Sequence, residues 1–133
     1  MLSKSQVRLA IVYWAETANH DYDTMLGLFR IKRYSDCLFF GHIVLEKILK
    51  ALVVQCTNDH SPKIHDLVRL QELAGVALND DSVGILKEIN NFNLATRYPD
   101  YKLNFYKKCD KDFSKEYLEK IKKIYKKLCL EIK

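Results

Sequence analysis

The sequence predicts an all-α protein, an antiparallel up-and-down four-helix bundle with an additional short helix. Turn formers are scarce: 4 Gly and 2 Pro in 133 residues are too few for the many tight turns of a sandwich or barrel. Apolar side chains recur at three- and four-residue intervals over long stretches, which is the period of a helix and not of a strand. They make up 48% of the chain, which excludes a disordered chain and lets a core form without a disulfide or metal staple. A chain of this length fits a single domain over residues 1–133.

Five helical segments follow in order. The first runs from about Gln6 to Ile31, where Val7, Ala10, Ile11, Trp14, Ala18, Tyr22, Met25 and Leu28 share one stripe. The second, from about Tyr34 to Cys56, is apolar almost all round, as the central helix of a bundle is. Its polar residues Asp36, His42, Glu46, Lys47 and Lys50 nevertheless fall within one arc of roughly 140° at 100° per residue. Residues 57–62 form a loop by composition. A short third helix spans about Ile64 to Ala74 and ends near Gly75. Asn79, Asp80 and Asp81 offer N-caps for a fourth, whose stripe is Val83, Leu86, Ile89, Asn90 and Phe92. It ends before Pro99, which disfavours helix in the residue before it. Residues 97–113 lack clear periodicity and are expected to be a long loop. The last helix starts at about Ser114, with Tyr117, Leu118, Ile121, Ile124, Tyr125, Leu128 and Ile132 on its apolar side.

Several classes drop out. No apolar run approaches the roughly 20 residues of a membrane helix, and the first residues lack a signal-peptide core, so a cytoplasmic protein without membrane contact is expected. Cys37, Cys56, Cys109 and Cys129 have neither zinc-site nor redox spacing and are expected to be reduced, mostly buried thiols. No metal and no cofactor is expected: His60 and His65 stand five apart and do not share a helix face, and no glycine-rich phosphate loop occurs.

The net charge of +5 is uneven. Residues 1–101 carry 11 basic and 12 acidic side chains, a net of −1, while residues 102–133 carry 11 Lys and 5 acidic side chains, a net of +6. A basic end invites a nucleic-acid reading. Yet the lysines of the last helix mostly lie opposite its apolar stripe, and no Arg, the residue suited to bidentate phosphate contacts, accompanies them. They read mainly as a solvated face, with weak RNA attraction second.

Two constellations could bind. His42, Glu46 and Lys50 follow one another at spacing four, so an ion pair and a hydrogen bond along the helix are natural. They make either a stabilising stripe or a polar groove for a ligand or second chain. Arg97 opens Arg97-Tyr98-Pro99-Asp100-Tyr101, where a guanidinium among aromatics suits phosphate or carboxylate, or simply stacks on Tyr and pairs with Asp100.

Trp14-x-x-x-Ala18-x-x-Asp21, Tyr34-Ser35-Asp36, the block Leu45-Glu46-Lys47-Ile48-Leu49-Lys50-Ala51-Leu52, His65-Asp66-Leu67 and Ala95-x-Arg97-Tyr98-Pro99-Asp100, in this order, resemble the HEPN domain family (higher eukaryotes and prokaryotes nucleotide-binding). The resemblance implies a helical bundle that commonly forms homodimers. It also implies kinship with the helical domain of kanamycin-nucleotidyltransferase-like enzymes, and pairing with a minimal nucleotidyltransferase in a toxin–antitoxin-type module. It makes His42, Glu46, Lys50, His65, Arg97, Tyr98 and Asp100 the candidate binding residues. Many members are metal-independent RNases marked by Arg, four to six residues, then His.

Here positions 102, 103 and 104 hold Lys102, Leu103 and Asn104, and no histidine follows His65. Proton transfer around a 2′-hydroxyl wants a group that titrates near neutrality, so Lys102 is a poor stand-in for His. A partner enzyme's modification site, a Tyr two positions after that His, falls on Asn104. The expectation is thus a binding module without the usual RNase motif, acting as the toxin-like partner of a nucleotidyltransferase. The alternatives are a variant ribonuclease toxin using Arg97 with Lys102 on RNA, and a nucleotide-binding helical domain.

Overall fold

A computed structural model of the chain describes residues 1–95 and 99–133. Six helices occur among them: α1 (Lys4–Arg30), α2 (Tyr34–Thr57), α3 (Leu67–Ala74), α4 (Asp80–Ala95), α5 (Pro99–Lys108) and α6 (Lys111–Leu130). No helix among the described residues is long and apolar enough to cross a membrane.

α1, α3, α4 and α6 start on side-chain caps, whereas α2 begins after Arg33 without one. Ser3 accepts from the Gln6 amide while the Gln6 side chain accepts from Ser3 N, a reciprocal capping box that satisfies two otherwise orphaned amides. Asp66, Asn79 and Asp110 cap α3, α4 and α6 through their side-chain oxygens, as the preference for Asp and Asn at this position requires. Two helices stop on left-handed residues, α2 at Asn58 (φ 57°) and α3 at Gly75 (φ 67°), where Asn and Gly tolerate the conformation best.

α2 is the axis of the molecule. It packs against α1, α3, α4 and α6, and touches α5. Thirteen of its residues are buried, which is why its sequence shows no clean apolar stripe: it has neighbours on nearly every side. α1 and α6 also meet, with Tyr22 and Tyr125 ring centroids 4.6 Å apart. α4, α5 and α6 share an aromatic knot in which Phe92 stacks on Phe105, Phe113 and Tyr117. α6 packs tightly over Gly41 of α2, where an added Cβ would stand 2.5 Å from Ile121 Cδ1.

The expected loop over 97–113 is corrected by α5. Among its described side chains this helix buries only Phe105, with Cys109 just past its end, so it has too few buried positions to show a period. Its signals were local: Pro99 at the first helical position, where proline is pre-set for helix, and Asp110 as the next N-cap. For the same reason α6 begins at Lys111 and not at Ser114, and α3 begins at Leu67 rather than Ile64. The last-helix lysines 115, 120, 122, 123, 126 and 127 all lie outside the buried set, as a solvated face requires. Cys37 and Cys109 are buried, and burial pushes both thiols up to about 12, away from the reactive thiolate. Cys129 is half-buried, and Cys56 departs from the expectation by being exposed at the end of α2.

Gly41→Ala gains up to about 1 kcal/mol of helix propensity but overpacks a buried contact, which costs about 1–3 kcal/mol. We expect a lower urea midpoint for Gly41→Ala and recovery when Ile121→Val removes the opposing Cδ1. A Gly41→Ala chain more stable than wild type would contradict the close approach.

The Tyr117 hydroxyl donates to Glu88. That bond, then burial, raises the phenol from 10.0 to about 12. A raised pKa stabilises the fold fully below the unfolded value and is lost as pH climbs through the folded one. Thermal melts should therefore show stability falling between pH 10 and 12, with a shallower fall in Tyr117→Phe.

Candidate functional site

The polar residues of α2 lie between neighbours within the chain. Glu46 is the centre. Its Oε2 accepts from Lys50 Nζ at 3.0 Å and its Oε1 from His65 Nδ1 at 3.0 Å. The Glu46 side chain is 13% exposed and that of Lys50 8%, so this is a nearly buried ion pair held by charge-assisted hydrogen bonds. Lys50 Nζ also stands 5.1 Å from the centroid of the Trp14 ring, a cation–π distance that ties α2 to α1. Further along α1 towards its C-terminus, Asp21 pairs with Lys47 at 2.6 Å.

His42 is fully buried. Its Nε2 lies 3.0 Å from the carbonyl oxygen of His65; a carbonyl only accepts, so this ring carries a proton on Nε2. Its Nδ1 is 3.7 Å from Glu46 Oε1, an ion-pair distance and not the hydrogen bond the spacing suggests. His65 in turn donates from Nδ1 to Glu46, leaving its Nε2 on a ring that is 55% exposed.

The next residue continues the chain of contacts. Asp66 Oδ1 caps α3 and also accepts from Asn90 Nδ2 at 3.0 Å, while Asn90 Oδ1 accepts from the Leu67 amide at 2.9 Å. Asn90 therefore holds the start of α3 against α4. In sequence it sits inside the apolar stripe of α4, and an Asn in such a stripe is the signal that it meets polar backbone. Trp14, Asp21, Glu46, Lys47, Lys50, His65, Asp66 and Asn90 together make a polar strap that crosses from α1 over α2 and α3 to α4.

The same face of α2 continues towards the N-terminus of that helix. Ser35, Phe39, His42, Glu46 and Lys50 succeed one another at three- and four-residue steps, which aligns them. Beside Ser35, Asp36 and Phe39 opens a groove of about 680 Å³, closed on its other side by Asn93 of α4 and by Pro99, Lys102, Leu103, Phe105 and Tyr106 of α5. Lys102 is exposed, and Leu103 and Tyr106 are 55% and 67% exposed. Arg97 and Tyr98, and the side chain of Asp100, lie outside the described residues. Lys102 and Asp36 thus flank a largely aromatic floor, a pairing that the sequence alone did not place together because α5 was read as loop.

The Glu46 pair predicts a specific loss. Removing one partner of a buried ion pair strands the other charge, at a cost of about 3–5 kcal/mol. Glu46→Gln should therefore lower the unfolding free energy of the whole bundle by an amount of that order, read by urea denaturation, with Glu46→Asp intermediate. A Glu46→Gln chain with unchanged stability would show that the carboxylate is not part of the scaffold.

The HEPN domain family model matches residues 11–132. Among solved structures, the crystal structure of TT1696 from Thermus thermophilus shares the fold, with a TM-score of 0.73 and 21% identity, over 89% of this chain and 94% of that one. No curated protein matches the chain.

Proposed function

The chain belongs to the HEPN domain family, and from that premise we propose that it is a single-domain, cytoplasmic binding module: a homodimer that docks a minimal nucleotidyltransferase as the toxin-like partner of a toxin–antitoxin-type module. One observation carries the reading. His42, Glu46 and Lys50 of α2 and His65 before α3 are engaged within the fold, with Glu46 shared by Lys50 and His65 and His42 Nε2 held by a backbone carbonyl. Residues so engaged hold helices together; they do not form an open set of proton donors and acceptors converging on a substrate.

The groove between α2 and α5 supports docking of a protein over cleavage of RNA. Its floor is aromatic and aliphatic, and Asp36 of α2 lines the groove as well as Lys102 of α5. A carboxylate there repels a phosphate backbone, whereas both signs of charge around an apolar floor suit a protein surface. Lys102 occupies the first position that a histidine would take after Arg97, and an ammonium is a weak general base near neutral pH.

Co-expression with a minimal nucleotidyltransferase from a neighbouring gene should yield a complex that survives size exclusion. Leu103→Asp should weaken that complex at least tenfold while leaving the fold intact by circular dichroism. Failure to associate with any neighbouring nucleotidyltransferase would overturn the reading. RNA cleavage by the purified chain, abolished by Arg97→Ala, would replace it with the variant ribonuclease.

A further inference from the structure

The aromatic knot of α4, α5 and α6 encloses a cavity of about 320 Å³, apart from the polar strap. Phe92 and Phe105, each 7% exposed, line it together with the half-buried Phe113 and Tyr117. The rings do not stack as parallel plates: Phe92 meets Tyr117 at 80° and Phe113 at 61°, so they present π surface in more than one direction. The volume is at the small end of the roughly 300–1,000 Å³ of small-molecule sites. Among the described residues the cavity shares only Phe105 with the groove between α2 and α5.

Two charged side chains line the same space, one of each sign: Glu88 of α4 and Lys108 of α5. Both are exposed, and among the described residues neither makes an ion pair, with the other or with any third group. Glu88 is held by the Tyr117 hydroxyl, which donates to it, so the negative charge sits at the Tyr117 end. Lys108 Nζ stands 5.2 Å from the centroid of Phe113, which puts the positive charge at the Phe113 end. The rings of this cluster attract cations: besides Lys108 over Phe113, Lys120 Nζ lies 4.7 Å from the centroid of Tyr117. A lysine ammonium is compact and strongly hydrated, and it gains little from a ring at the edge of solvent. A quaternary ammonium spreads its charge over methyl groups and holds water weakly, so aromatic rings beside a carboxylate favour it over the chain's own lysine.

We propose that this cavity binds a small zwitterion of the N-trimethylated amino-acid type, its quaternary ammonium against the rings beside Glu88 and its carboxylate on Lys108. Lys108 leaves the Phe113 face to meet the carboxylate, which frees that ring for the methyl groups. Two opposite charges in the site then meet two opposite charges of the ligand, as charge-assisted contacts require. A simple cation would face Lys108 at one end, and a simple anion would face Glu88 at the other. A purely apolar ligand would leave both charges unused. This site is separate from the docking groove and goes beyond the nucleotidyltransferase reading.

The test titrates three probes into the isotope-labelled full chain and follows its amide NMR signals, with thermal melts to confirm folding. The probes are trimethylglycine, choline, which lacks the carboxylate, and tert-butylacetate, which keeps shape and carboxylate but has carbon in place of the ammonium nitrogen. Trimethylglycine should move the signals of Phe92, Phe105 and Phe113 along a saturating curve, with a Kd of about 1 mM or tighter. Choline and tert-butylacetate should each bind at least tenfold more weakly. Phe113→Leu keeps apolar volume but removes a ring, and should weaken trimethylglycine tenfold. Glu88→Gln and Lys108→Gln should each weaken it fivefold or more, and Lys108→Gln should not weaken choline. Lys108 is exposed, so that variant reads the site even if Phe113→Leu disturbs the fold. Equal binding of tert-butylacetate would overturn the role of the ammonium and the rings. Trimethylglycine binding unchanged in Lys108→Gln would overturn the zwitterion. Shifts that rise linearly without saturating, spread over the whole surface as an excluded osmolyte gives, would overturn the site itself.

Discussion

A carboxylate that is almost sealed from water must be neutralised in place, and Glu46 meets that requirement from two directions. Lys50, one turn on, is itself nearly buried and is received there by Glu46 and the Trp14 ring. His65 reaches in from the loop before α3. These partners come from α1, α2 and the α3 entrance, so the charge balance of one residue fixes how three elements meet. Desolvation makes such a pair a poor source of net stability compared with an apolar core. Its effect is on geometry: any packing that separates the three groups strands a charge.

From this point the rest of the arrangement follows. With His65 held at Glu46, its carbonyl is presented to His42 and the next residue, Asp66, becomes the N-cap of α3. Asn90 then binds both Asp66 and the first amide of α3, which sets α4 beside α2. α4 in turn delivers Asn93 to the groove, and the chain beyond it leads into α5, whose Lys102, Leu103 and Tyr106 form the opposite wall. The Glu46–Lys50 block and His65-Asp66-Leu67 are, in space, the frame of a groove to which Ser35, Asp36 and Pro99 of the other motifs contribute.

Much of this was legible beforehand because helices announce themselves by period and caps. The all-α bundle, the central position of α2, the cap at Asn79 and the Glu46–Lys50 pair all follow from spacing. What sequence could not give was contact between distant segments. Nothing in the spacing of His65 shows that it would reach Glu46, or that Asp21 would take Lys47. Asn90 stood among apolar residues as an oddity without a partner. α5 shows no period because, among its described side chains, it buries only Phe105, and without that helix one wall of the groove is invisible in sequence. The lysine excess of the C-terminal quarter, prominent in composition, takes no part in either constellation apart from Lys102.

The account depends on Glu46 and Lys50 acting as a structural unit, and a double-mutant cycle on their stability tests that directly. Glu46→Leu and Lys50→Met each strand a charge, and should each destabilise the bundle in urea denaturation. The double variant removes both charges and should lose far less than the two single losses combined, a coupling of about 1–3 kcal/mol. Additive losses near zero, accompanied by a change in ligand or RNA binding, would contradict the account and return these residues to a functional site.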